Sequence, residues 1–182
     1  MTTTTRIDLP VGTWTFDKAH TTIGFVARHM MVTKVRGSFP AFDGTIEVAE
    51  DVTDSKVNVE ISASSVNTGA PDRDAHLTSP DFFDVANFPT IKFASTDIRR
   101  DGEQWLLTGD LTIKEVTKPV TLEVSFEGTE TNPWGKSVAA FSAATEVDRE
   151  GWGLTWNVPL ESGGLLVSKK IKLEIDAQLV QA

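Results

Sequence analysis

The residues best able to move a proton near neutral pH are three histidines, His20, His29 and His76. Asp17 precedes His20 by three residues. Two readings are open for this pair: a carboxylate orienting a general base, or an Asp serving its own backbone in a turn. His29 shares its alternation with Ile23 and Phe25. On a strand its ring therefore faces an apolar interior, either as a hydrogen-bond donor to a ligand carbonyl or as a structural histidine. A three-histidine metal site would need every histidine in the chain, each from a different segment; no metal is expected. Arg28, Arg36 and Arg73 suit an oxyanion or a polar head group. Arg28 alternates away from Phe25, toward solvent, and Arg73 with Asp74 could equally tie a local segment down.

Nucleophilic chemistry has little to work with. The chain has no cysteine, which removes disulfides, thiolate catalysis and cysteine-held metals. It lacks a Gly-x-Ser-x-Gly elbow, a glycine-rich phosphate loop and a His-Glu-x-x-His pair. No catalytic residue is assigned. An enzyme acting on an apolar substrate, with His29 or His20 as base, stands as the alternative to a binding protein.

The 182 residues suit one domain, with residues 1–12 expected as an N-terminal tail and 13–182 as the domain. A formal net charge of −9 repels phosphate backbones, so no nucleic-acid partner is expected. An anionic membrane surface also repels such a chain on average. No run approaches the ~20 apolar residues of a membrane span. The opening Met1–Asp8 has no apolar leader core, so a cytoplasmic location is expected.

Period-two alternation dominates the chain, which means strands with one buried face. Val57, Val59, Ile61 and Ala63 oppose Lys56, Asn58, Glu60 and Ser62. Similar sets are Phe42, Gly44, Ile46, Val48; Trp105, Leu107, Gly109, Leu111, Ile113; and Val120, Leu122, Val124, Phe126. The longest runs from Val167 through Ile171, Leu173, Ile175 and Ala177 to Leu179. Weaker strands are expected at 13–17, 21–30, 90–98 and 137–148. Asp101-Gly102, Asn132-Pro133-Trp134-Gly135 and Ser162-Gly163-Gly164 mark turns. Between Pro71 and Asp84 the rhythm breaks, predicting a short helix near 72–78 and a helical turn near 81–85.

Eight or nine strands joined to sequence neighbours close into a barrel or pack as a sandwich. An eight-stranded barrel either fills with side chains or holds one small ligand. Gly44, Ala63, Gly109 and Ala177 on the apolar faces permit a cavity and equally suit a tapering sheet. The inward set is aliphatic and aromatic, so any ligand is mostly apolar. Trp152 and Trp156, four apart, would share a face of a helical turn and either plug or line a mouth or serve as ordinary packing.

Several motifs occur together: Trp14 to His29, Val35 to Phe39, Phe42 to Ile46, Arg73 to Leu77, Asp81 to Val85, Phe88 to Phe93, Gly109 to Ile113 and Val116 to Val120. On these the chain resembles the YceI-like, polyisoprenoid-binding family. That resemblance implies an all-β, extended antiparallel, eight-stranded lipocalin-like barrel. It also implies an apolar tunnel for a polyprenyl chain or isoprenoid quinone, for transport or storage.

The residues expected to line that lumen and its mouth are Ile23, Phe25, His29, Phe42, Ile46, Val59, Ile61, Phe82, Phe83, Leu107, Leu111, Val124, Trp152, Trp156 and Leu173. Arginine at Ile61 is expected to abolish lipid binding while the protein stays soluble. No cofactor is expected beyond the bound lipid, and paired barrels would give a homodimer. A third reading is an interaction module with a solid, ligand-free core.

Overall fold

The computed structural model describes residues 7–182; residues 1–6, half of the expected tail and most of the segment read for a leader, lie outside it. Alternating apolar residues produce ten strands. In chain order they are β1 (Gly12–Phe16), β2 (Thr22–His29), β3 (Thr33–Ser38), β4 (Phe42–Val48), β5 (Lys56–Ser62), β6 (Thr90–Asp101), β7 (Gln104–Ile113), β8 (Val116–Thr131), β9 (Ser137–Asp148) and β10 (Lys170–Gln181). The one α-helix among the described residues, α1, spans Pro71–Thr78, with proline at its start, where its missing N–H costs nothing. The expected helical turn near 81–85 is a run of hydrogen-bonded turns.

Every strand pairing is antiparallel. The order β1-β4-β5-β6-β7-β8-β9-β10 returns to β1, so eight strands close a barrel. The closing pairs are Trp14 with Gln181 and Phe16 with Leu179. A 3-10 turn at Lys18–His20 separates β1 from β2. β2 then pairs with residues 172–176 of β10 and carries β3 on its other edge. The expected eight-stranded barrel is thus present, with the β2–β3 hairpin as an addition. β3 was not expected from the sequence.

Turn chemistry fixes the hairpins. Gly102 takes φ +62° between β6 and β7, the left-handed conformation that glycine tolerates. Bulges at Ser95/Asp97 and Phe126/Gly128 bend the β6–β7 and β8–β9 ladders.

Small residues on the inner face do not leave the room that composition permits. A Cβ at Gly37, Gly44 or Gly109 would run into the rings of Phe25, Phe16 and Phe93 respectively. Each ring lies over the glycine of a nearby strand. At Gly109 the added carbon would also sit 2.7 Å from the Ala94 carbonyl oxygen, which cannot swing away. Gly109→Ala is therefore expected to destabilise by roughly 1–3 kcal/mol in urea unfolding. A neutral result would mean that Phe93 and its strand yield easily.

Two packed clusters form inside the barrel. The first joins Phe39, Phe42, Ile61, Ala63, Val66, Ile91, Leu111, Val120 and Trp152. The second joins Trp14, Ile46, Val48, Ala139 and Leu179 at the other end of the same strands.

Candidate lumen site

The inner wall follows from register. On β7 to β10 the residues in phase with buried Trp105, Val120, Ala139 and Leu179 face inward. Among these, Leu107, Val124, Ala143, Thr145, Leu173 and Ile175 are only half-buried and belong to neither packed cluster. They lie midway along their strands. Between the two packed clusters the inward face therefore carries an apolar stretch of side chains that are only partly covered.

The expected lining residues divide accordingly. Phe42, Ile61, Leu111 and Trp152 are in the first cluster, with Ile23, Phe25, Val59 and Phe83 packed against it. Ile46 is in the second. Leu107, Val124 and Leu173 are on the partly covered stretch between the clusters. Ala143, Thr145 and Ile175 share this face and were not among the expected residues, although alternation along β10 already placed Ile175 in phase with Leu173. β9 gave a weaker signal, because alanine and threonine scarcely distinguish its faces.

Trp152 and Trp156 do not share a helical face. The 3-10 turn Arg149–Trp152 ends at Gly153, whose φ of +80° redirects the chain. Trp152 enters the first cluster and its Nε1 donates to the Leu111 carbonyl at 2.9 Å. Trp156 instead meets the His76 ring edge-on at 4.6 Å and the Phe82 ring at 5.5 Å. Phe82, His76 and Trp156 form a separate aromatic group against α1. There His76 Nε2 and Asp81 Oδ2 lie 2.9 Å apart. His29 is half-buried at the end of β2, where its backbone bridges to Val167.

Asp17 and His20 sit at the β1–β2 corner. One Asp17 oxygen accepts from the Ala19 N–H; the other lies 2.9 Å from His20 Nδ1 and accepts from Gln178. The His20 side chain is 65% exposed, so the pair is a corner clasp open to water. The hydrogen bond from His20, with Ala19 and Gln178 assisting, holds the Asp17 carboxyl below its ordinary value of 3.8. A depressed carboxyl stabilises the fold above the unfolded-state value and stops doing so as pH falls through the folded-state value. Asp17→Asn is thus expected to lower the melting temperature slightly at neutral pH and to match the parent once the pH is below both values. A constant deficit at all pH would assign the loss to packing instead.

Among the described residues one cation is buried: Arg149 is 5% exposed. Its Nε donates to the Ser168 carbonyl at 2.9 Å and its Nη1 to the Leu154 carbonyl at 2.6 Å. The guanidinium also lies 5.9 Å from the Phe82 ring centroid. Burial pushes its pKa down, offset in part by Glu150 and Asp148. Arg149 thus ties both ends of the 153–169 connection to the barrel. Arg149→Met is expected to cost about 2–3 kcal/mol, because two carbonyls lose their donor. Faster amide exchange confined to 153–169 would locate that loss.

Among the described residues no helix is long and apolar enough to cross a membrane, and no group of three or more His, Cys, Asp or Glu could hold a metal ion.

A closed antiparallel barrel with an apolar, partly uncovered interior defines the structural class. The chain belongs to the YceI-like domain family, whose model matches residues 14–179. It is 37% identical over 167 residues to a UPF0312 protein of Staphylococcus aureus (strain MSSA476), covering 91% of this chain and 95% of that protein. It is similar to the crystal structure of the Campylobacter jejuni YCEI protein, with TM-score 0.73 and 27% identity, covering 97% of this chain and 99% of that one. A polyisoprenoid binding domain from Saccharophagus degradans shares the fold at TM-score 0.65 and 15% identity, covering 95% of this chain and 99% of that domain.

Proposed function

We propose that the protein binds a single apolar isoprenoid lipid in its lumen and carries or stores it without altering it. The observation that carries this reading is the half-buried, inward-phased apolar stretch of Leu107, Val124, Ala143, Leu173 and Ile175 that neither packed cluster includes. An apolar wall left half-exposed inside a closed barrel gains most by burying hydrocarbon, at roughly 0.8 kcal/mol per CH₂. Family membership and the polyisoprenoid-binding neighbour support the same cargo class. A polyprenyl chain or an isoprenoid quinone is the proposed ligand, and the cytoplasm the proposed setting. Specificity would rest on lumen length and shape, with Thr145 the one polar side chain on that wall.

Catalysis by His20 is disfavoured by its place on the outer corner, turned to water beside Asp17. The deciding measurement is native and denaturing mass spectrometry of the purified protein after solvent extraction. A stoichiometric isoprenoid is the expected result. An apo mass unchanged by incubation with quinones and polyprenols would overturn the carrier reading in favour of a ligand-free core.

A further inference from the structure

The largest cluster of exposed apolar side chains lies at one end of the barrel. Met30, Met31 and Val32 form the β2–β3 tip and are 44%, 55% and 72% exposed. Val158, 41% exposed, belongs to the connection that docks on this tip. The Met30 N–H donates to the Leu166 carbonyl, and the Leu166 N–H to the Val158 carbonyl. Both methionines hold positive φ, +50° and +62°, a conformation that suits Asn or Gly far better. Folding alone gives no reason for apolar residues at a strained, water-facing tip.

Charge around the tip departs from the rest of the chain. The molecule carries −9 overall, yet from Thr21 to Phe42 it has Arg28, Lys34 and Arg36 and no carboxylate. From Ser162 to Leu173 it has Lys169, Lys170 and Lys172, again with none. Arg36 and Lys172 are taken up by Glu174, and Lys169 lies 3.7 Å from Glu150. Arg28, Lys34 and Lys170 form no ion pair among the described residues. Arg28 and Lys34 are direct cross-strand partners. Like charges so placed are unfavourable in isolation and favourable beside an anionic surface. Glu161 is the one acidic side chain within the 153–169 connection.

We propose that this tip docks on an anionic phospholipid bilayer, with Met30, Met31, Val32 and Val158 entering the headgroup boundary and Arg28, Lys34 and Lys170 meeting lipid phosphates. Flexible, unbranched methionine suits a fluid apolar partner, and cations flanking an apolar tip are the usual composition of an interfacial anchor. A second copy of the chain fits less well, because a two-fold contact would set Arg28 and Lys34 against their own copies. Docking here presents the first-cluster end of the barrel, beside the 153–169 connection, to the membrane. The inference depends on the surface alone and holds whatever the lumen carries.

The test is flotation of the full chain with vesicles of phosphatidylcholine, with and without phosphatidylglycerol, both free of isoprenoid. Binding is expected only to the mixed vesicles and is expected to weaken as salt rises. The double variant R28E/K34E and the double variant M31D/V32D are each expected to bind at least about tenfold more weakly. All four positions are exposed, so unchanged melting and unchanged lumen occupancy by mass spectrometry should accompany the loss. No binding of the parent protein to either vesicle would overturn the proposal, as would binding that both variants retain. A parent dimer that M31D/V32D converts to monomer, without vesicle binding, would assign the tip to a second copy. An empty lumen with intact, charge-dependent vesicle binding would instead remove the carrier reading and leave the docking surface standing.

Discussion

Tryptophan in place of Val124 or Leu173 is expected to abolish uptake of a polyprenol or isoprenoid quinone while melting stays within a few degrees of the parent. Both residues face inward, are half-buried and belong to neither packed cluster. If the proposed ligand lies against this wall, an added indole there displaces it, and a residue outside both packed clusters tolerates the larger ring better than a core position does. Excluding even one five-carbon unit forfeits several buried carbons at roughly 0.8 kcal/mol each, a loss of about 100-fold or more in affinity. Titration with a fluorescent polyprenol analogue, followed by extraction and mass spectrometry, reads it directly. Unchanged affinity in both variants would take the ligand off this wall. Arginine at Ile61, the substitution that sequence suggests, is a poorer probe. Ile61 is 8% exposed within the first cluster, so a charge there is expected to unfold the barrel. Loss of binding in that variant would say nothing about the lumen.

The largest effect on stability is expected from Trp14→Ala. Trp14 is fully buried at 0% exposure and centres the second cluster. It pairs with Ile46 on β4 and Gln181 on β10, so it stands where the barrel closes. Truncation is expected to cost about 3–5 kcal/mol, a large share of the ~5–15 kcal/mol of a typical domain. Trp14→Phe keeps most of the packing but loses the 3.0 Å hydrogen bond from Nε1 to the Pro10 carbonyl. That variant is expected to cost about 1 kcal/mol beyond the lost ring volume. Equal losses in both would make the hydrogen bond, and not the volume, the dominant contribution.

Which parts of this structure sequence could show follows from what each part depends on. β5 and β10 alternate strictly, because one face meets water and the other the core, and both were evident. β3 was not: Thr33–Ser38 contains one aliphatic residue, Val35, and its turn is made by Met30 and Met31 with no glycine. The β7–β8 turn is similar, with Lys114 and Glu115 at φ +52° and +68°. The lumen depends on which residues of different strands stand opposite, and periodicity within one strand does not report that. Gly44 and Gly109 promised space, whereas register lays Phe16 and Phe93 over them. Spacing misled at Trp152 and Trp156 because Gly153 turns the chain between them. At Asp17 a turn-stabilising role was legible, since an Asp followed two residues later by a bonded N–H is a local event.

The seam between β1 and β10 also governs how the molecule is made. Asp17 and Gln178 are hydrogen-bonded yet stand 161 residues apart along the chain. Apart from the similarly distant β2–β10 pairing, the other ladders join strands closer in sequence and can form earlier. This seam must wait for its second edge to leave the ribosome. Contacts so distant in sequence place folding in the slow, millisecond-to-second range of β-barrels. Until they form, the nascent sheet is an open trough with an apolar floor and two unpaired edges, the state in which such a chain is most exposed to aggregation. Joining the segments at the seam by circular permutation, with new ends at the exposed Asn132–Lys136 turn, would make that contact local and hand the late, long-range role to the β8–β9 pairing, so the same barrel is then expected to close last at β8–β9.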